Sequence, residues 1–319
     1  MTTVTRLGVG LLACWWLAPA MAQQYPSKPV RIIVPYAPGG GTDIIARQLA
    51  QKMQEGWNQS VVVENRPGAN GVIGTDWVLK QPADGHTVAI VVAAHVINQS
   101  LVAKMPFDAV NDVAPVTLIA TSPWVIVVNP EVPAKNLRDL ITLAKASPGK
   151  FKFGSSEPSS RLAGEQFKDQ AGVDLLHVPY KGGSQIMTDM LGGHIEVGFT
   201  STLTVLQHYK SGKLRVLAVG GKARHPSMPD VPTAIEAGLP GYETYAWYGM
   251  YAPKATPRDI VVRIQQEIAR VVKLPDMNER FNQLGGEPIA NSPESFAAFT
   301  RSEYEKYAKL VKQAGIQPE

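Results

Sequence analysis

One phrase occurs twice in this chain and limits the fold more than anything else in the sequence. "VPYAPGGGTD" runs from Val34 to Asp43, and "VPYKGGSQI" runs from Val178 to Ile186. Each leaves an apolar, β-branched run through a proline, crosses glycines and enters a helical pattern. Each therefore predicts a strand, a tight turn and a helix start. Its return in the second half of the chain predicts two α/β lobes built on the same plan. With 319 residues, 45% of them hydrophobic, there is enough chain for a core in each.

The rest of the pattern agrees. After "VRIIVPY" come Ile45, Leu49 and Met53 at helical spacing, then "SVVVEN", a helix near "IGTDWVLKQ" and the apolar run "TVAIVVAA". This alternation predicts parallel strands with crossover helices. "VAPVTLIATSPWVIVVNP" is long enough for two strands broken at Ser122-Pro123, which carry the chain into the second lobe. That lobe repeats the alternation up to "LRVLAVGG", and "YAWYGMYAP" predicts a strand returning to the first lobe. The last part is expected to be helical only, with Phe296, Phe299, Glu303, Tyr307, Leu310 and Ala314 on one face. Those helices need a sheet to cover, so residues 23–122 and 248–319 are expected to form lobe 1 and residues 123–247 lobe 2, with the two crossover strands as a hinge.

Residues 1–22 are expected to be an export signal: Arg6 precedes "LGVGLLACWWLAPA", which ends in the small-x-small pattern Ala20-Met21-Ala22. The periplasm is the expected destination. Cys14, the single cysteine, falls inside that signal, so the mature chain has no thiol, disulfide or cysteine-held metal. The rival reading, lipidation of Cys14, is disfavoured by the short preceding run and by Trp15 and Trp16. A formal charge of +4 is scattered rather than blocked, which gives nucleic-acid binding no support and mildly favours small anions. No metal or other cofactor is expected, and the protein is expected to be a monomer.

In an open α/β sheet, ligands bind beyond the carboxyl ends of the strands, where helix N-termini and glycine turns offer free N–H groups. Gly39, Gly40 and Gly41 in one turn and Gly182 and Gly183 in the other suit a shared anion. Neither turn matches a P-loop or G-x-G-x-x-G, so a carboxylate is preferred to a nucleotide. Asp43 cuts against an anion and is expected to be a helix N-cap, with Thr42 as the alternative cap. His95 stands where it can face the cleft or serve the core. An enzyme is not expected: there is no G-x-S-x-G elbow and no histidine pair at metal-ligand spacing, although Ser155, His95 or His177, and Asp43 leave a hydrolase or transferase as the rival reading.

From Tyr25 to the end the chain resembles the Bug family, the periplasmic solute-binding proteins of tripartite tricarboxylate transport systems. The resemblance rests on "YPSKPVRIIVPYAPGGGTD", "VVVENRPGANGVIGT", "PADGHT", "LHVPYKGG", "DMLGGHIEV", "GKLRVLAV", "PDVPTAIEAGLPGYE" and "YAPKATP" in this order. It implies a two-lobed Venus flytrap of the periplasmic-binding-protein class, with each lobe a mainly parallel sheet flanked by helices. It also implies capture of a small carboxylate and delivery to transporter membrane subunits, or signalling to a sensor receptor instead. The implied contacts are Tyr36, Gly39, Gly40, Gly41, Thr42 and Asp43 in the first turn, Tyr180, Lys181, Gly182, Gly183 and Ser184 in the second, and Ser155 and Ser156 between them. This chain departs from the family pattern at Arg161, where many members have histidine, and at Thr200, where an aspartate is common. An added cation and a lost acid imply a pocket that takes a second carboxylate, with Arg161 as a bidentate clamp and Thr200 as a neutral partner; the alternative has Arg161 projecting to solvent or paired with Glu157 or Glu165.

Overall fold

A computed structural model describes residues 25–39, 41–155, 157–180, 183–283 and 285–318. The expected export signal with Cys14 lies outside these residues, as do Gly40, Ser156, Lys181 and Gly182 of the expected contacts. In chain order the elements are β1 (Val30–Val34), α1 (Gly41–Trp57), β2 (Val61–Asn65), α2 (Val72–Leu79), β3 (Thr87–Val92), α3 (Ala94–Leu101) and the long β4 (Val113–Val128). Then follow α4 (Leu137–Ala146), β5 (Lys152–Ser155), α5 (Pro158–Ala171), β6 (Leu176–Pro179), α6 (Gly183–Leu191), β7 (Val197–Ser201), α7 (Thr202–Lys210) and β8 (Arg215–Val219). The chain closes with β9 (Tyr245–Pro253), α8 (Arg258–Val272), α9 (Pro275–Gln283), β10 (Glu287–Pro288) and α10 (Pro293–Gln313).

The strands order as β2-β1-β3-β9-β4-β7-β5-β6, with β10 and β8 also on β4. Within this path β1 is parallel to β2 and β3, and β5 is parallel to β6 and β7, while every pairing of β4 and β9 is antiparallel. All six residues of β3 are buried, as a strand covered on both faces requires. On one face of the first sheet Ile32 and Val34 meet Leu49 and Met53 of α1 and Ile264 and Ile268 of α8. The other face packs Ile33 and Val91 against Tyr251, Phe296 and Tyr307. In the second half Phe153, Phe167 and Phe199 make one core and Val125, Ile186 and Met190 another.

Three expectations need correction. β4 is not broken at Ser122-Pro123: Pro123, which has no N–H to donate, stays in register with Tyr245, and the ladder resumes where the Trp124 N–H donates to the Thr244 carbonyl at 3.1 Å. The strand instead changes partners there, pairing with β9 before Pro123 and with β7 and β8 after it. The C-terminal part is not helical only, because β10 pairs antiparallel with Ala120 and Thr121. On α10 the expected Phe296, Glu303 and Tyr307 are buried together with Thr300 and Val311, and Phe299 and Leu310 pack half-buried against the same core, but Ala314 is exposed. Thr300 can be buried because its hydroxyl donates to the Phe296 carbonyl at 2.8 Å, and Glu303 because it accepts from the Trp247 indole at 3.1 Å and pairs with Lys306.

A second contact ties the halves where β4 crosses. The Gly285 carbonyl, between α9 and β10, accepts from the Ser122 hydroxyl at 2.8 Å and from the Thr202 hydroxyl, at the start of α7, at 2.6 Å. Both hydroxyls are buried.

Candidate functional site

β1 and β3 are neighbours, so the turn leaving β1 lies at the carboxyl end of the first sheet. Tyr36 is wedged there. Its hydroxyl accepts from the Val92 N–H at 3.3 Å, its carbonyl accepts from the Asn65 amide at 3.2 Å, and its ring lies where a Cβ on Gly71 would stand 2.9 Å from the hydroxyl. Gly39 has φ +80, a conformation glycine adopts without strain. Its N–H is not free for a ligand: it donates to Asp43 at 3.0 Å.

Asp43 corrects the capping expectation. α1 already starts at Gly41, so Thr42 and Asp43 are buried inside its first turn. The carboxylate accepts from Gly39, from Arg47 at 3.0 Å and from the Asn65 amide at 3.0 Å. Burial alone would raise its pKa, but these donors outweigh it and hold the carboxyl below its ordinary value. Asp43 thus braces the glycine turn with its charge already matched, and the sequence carried no sign that Asn65 was its partner.

In the second half, β5 and β6 end side by side. Ser155 is buried, and its hydroxyl lies 2.7 Å from Nε2 of His177. Tyr180 donates its N–H to the Ser155 carbonyl at 2.8 Å and its hydroxyl to Asp189 at 2.7 Å, and burial together with that carboxylate pushes its pKa up to about 12. Gly183 opens α6, which also carries Ser184. Thr200 is buried in β7 opposite Val125.

Arg161 sits in the first turns of α5, one turn after Glu157. A Glu and an Arg at this spacing ordinarily pair. Here they do not: among the described residues the Arg161 guanidinium has no hydrogen bond or ion pair, and its Nε is fully buried without a partner. Glu165 is taken by Lys168 at 3.0 Å. The charge of Arg161 is felt by His177, whose pKa is lowered by burial first and by Arg161 second.

His95 does not join these groups. It is buried in α3, stacks on Phe107 and Tyr251, and its Nε2 lies 2.8 Å from the Ala109 carbonyl. Burial holds it neutral, with a pKa lowered to about 4, so its place is in the core and not in the cleft. Glu157 went unremarked as a contact, yet its charge bears on the phenols of Tyr36 and Tyr248 from the other half. Among the described residues no group of histidine, cysteine and carboxylate side chains could hold a metal, and no helix is long and apolar enough to cross a membrane.

Two α/β halves joined by antiparallel crossing strands define the mixed fold of periplasmic binding proteins. The model of the tripartite tricarboxylate transporter family receptor matches residues 45–316, and the chain belongs to that family. Protein BugT of Bordetella pertussis is 34% identical over 313 residues, which cover 97% of this chain and 96% of that one. Among solved structures, the periplasmic binding protein BugD superposes with a TM-score of 0.82 at 33% identity, covering 92% of this chain and 100% of that one. R. palustris Rpa4515, solved with adipate, gives 0.85 at 32% identity over 92% and 100%.

Proposed function

We propose that this protein is an exported solute-binding protein that closes two lobes, residues 23–122 with 248–319 and residues 123–247, around a dicarboxylate and hands it to transporter membrane subunits. The observation that carries the reading is the unpaired guanidinium of Arg161, whose charge bears on His177, the partner of Ser155. A cation without a counter-ion at the end of a sheet is a site for an anion, and guanidinium matches a carboxylate bidentately. The glycine turn braced by Asp43 holds the first carboxylate and Arg161 the second. The adipate found in the Rpa4515 structure has that chemistry, two carboxylates on one chain. Ligand binding favours the closed state because only there do both ends find their donors.

Calorimetric titration with adipate and with hexanoate, its single-carboxylate counterpart, tests the reading. Adipate should bind at least tenfold more tightly, and Arg161→Gln should weaken adipate by about 10- to 100-fold, the worth of a charged hydrogen bond, with hexanoate unchanged. Equal effects on both ligands would remove Arg161 from the site.

The Ser155–His177 pair also supports a hydrolase, since a hydroxyl beside a neutral imidazole is the start of a nucleophile. It lacks an orienting partner: among the described residues Nδ1 of His177 has no hydrogen bond. A binding role without chemistry is the preferred reading, and turnover of nitrophenyl esters that Ser155→Ala abolishes would reverse it.

A further inference from the structure

The two halves also meet at one side chain of α5. Leu162 is 2% exposed, and it is buried not in the core of its own half but in that of the other, the core that holds Ile97 of α3, Tyr251 of β9 and Phe296 and Tyr307 of α10. Among the described residues it is the one member of that core drawn from residues 123–244. Its neighbours along the helix pack at home. Ala163 and Phe167 belong to the core of the second half, and the Tyr242 hydroxyl donates to the Ala163 carbonyl at 3.0 Å. Successive residues of a helix point about 100° apart, so α5 is fixed to the second sheet by one face while another reaches across to the first half.

Farther along α5 the seam changes character. Gln166 and Asp169, one and two turns after Leu162, line two open cavities of about 300 and 500 Å³ together with Leu310 and Gln313 of α10. Leu162 and Glu165 line the smaller one. A seam fused for good is filled to the density of an interior. One apolar contact followed by polar-walled open space is instead the make-up of a surface that parts and meets again. Arg161, with its unpaired guanidinium, is next to Leu162 in the chain, so the seat and the candidate ligand cation move as one piece.

We propose that Leu162 is the latch of this protein, seated in the first half when the two halves are closed and exposed when they open, so that it sets how tightly a dicarboxylate is held. The proposal rests on the carboxylate-binding reading above. When the halves part, the side chain passes from the core to water, so its burial counts toward the closed state alone. The ligand finds donors for both ends only in that state. With the open form prevailing in the free protein, the factor by which the seat favours closure is the factor it adds to affinity. Truncating the side chain weakens the complex and takes nothing from the open form, where the side chain is in water already.

Thiol accessibility tests this. Cys14 lies in the expected export signal, so the mature chain from Gln23 has no cysteine of its own, and Leu162→Cys places a single thiol at the seat. Saturating adipate should slow its reaction with dithionitrobenzoate by about tenfold or more. The thiol of Gln170→Cys, exposed on the same helix, should react equally fast with and without adipate. A Leu162→Cys thiol that is as slow in the free protein as in the complex marks a seat that never opens, and one that stays fast in the complex marks a seat that never forms; either overturns the latch. A second variant reads the energy. Leu162→Ala should weaken adipate by about 10- to 100-fold in calorimetry and leave the melting temperature of the free protein unchanged. A free protein that melts lower while its affinity is retained would make Leu162 an ordinary core residue and overturn the proposal with carboxylate binding intact. Failure of adipate, hexanoate and citrate to bind the unaltered protein would overturn the carboxylate reading, and this proposal with it.

Discussion

The hydroxyl of Ser155 and Nε2 of His177 lie 2.7 Å apart, joining the last residue of β5 to the edge strand β6 beneath the first turns of α5. The ring is held neutral, by burial first and by Arg161 second, with Lys168 adding to Arg161 and Glu165 opposing. Its titration followed by NMR should have a midpoint below the ordinary 6.5, and Arg161→Ala should move that midpoint upward. The matching stability is complete above 6.5 and is lost as pH falls from there toward the folded value, because the unfolded chain takes the proton first. A midpoint unmoved in Arg161→Ala would separate the two residues.

Asp43 acts on the opposite side of neutrality. Its carboxyl is held below its ordinary value of 3.8, so its contribution to stability is present above that value and is lost as pH falls through the folded one. Asp43→Ala leaves the Gly39 N–H without its acceptor and the Asn65 amide with only the Tyr36 carbonyl, which should cost about 1–3 kcal/mol in urea unfolding. Asp43→Asn keeps an acceptor for one of them and should cost less. Both should weaken adipate, since the turn loses its brace. An Asp43→Ala protein of full stability would show that the turn holds itself.

How far the sequence was legible followed how local each feature is. Strands, glycine turns and helix starts were readable because apolar spacing and glycine placement act over a few residues. The continuity of β4 was not, since the acceptor that carries the ladder past Pro123 is Thr244, far away in the chain. Spacing alone pairs Glu157 with Arg161, whereas in the fold the two do not pair and the charge of Arg161 bears on His177 instead. His95 likewise owes its place to Tyr251, which no local pattern links to it. Burial from distant elements decides which charges are left unmatched, and those charges make the candidate site.

The Gly285 carbonyl, shared by Ser122 and Thr202, makes a prediction about the crossing. Either hydroxyl alone still serves the carbonyl, so Ser122→Ala and Thr202→Val should each cost about 1 kcal/mol. Together they strip both hydroxyl donors from a buried acceptor, and the double variant should lose more than the sum by about 0.5–1 kcal/mol. Urea unfolding of the four proteins measures this directly. Strict additivity would mean that the His225 ring, which the same carbonyl also affects, takes over the acceptor.

Gly164 links packing to the site. A Cβ there would lie 2.3 Å from the Phe153 ring, which is fully buried and fixed by Phe199 at 5.4 Å and His177 at 5.0 Å between ring centres. The ring cannot swing away, so in Gly164→Ala the helix α5 has to lift off β5, at a cost of about 1–3 kcal/mol. Lifting the helix also moves Arg161 in its first turns, and the adipate affinity should fall by an order of magnitude although that residue is not altered. Gln170→Ala, exposed near the other end of the same helix, should change stability by less than about 0.5 kcal/mol and leave affinity as it was. Loss of stability in Gly164→Ala with affinity retained would place the ligand grip outside α5 and leave Arg161 no part in it.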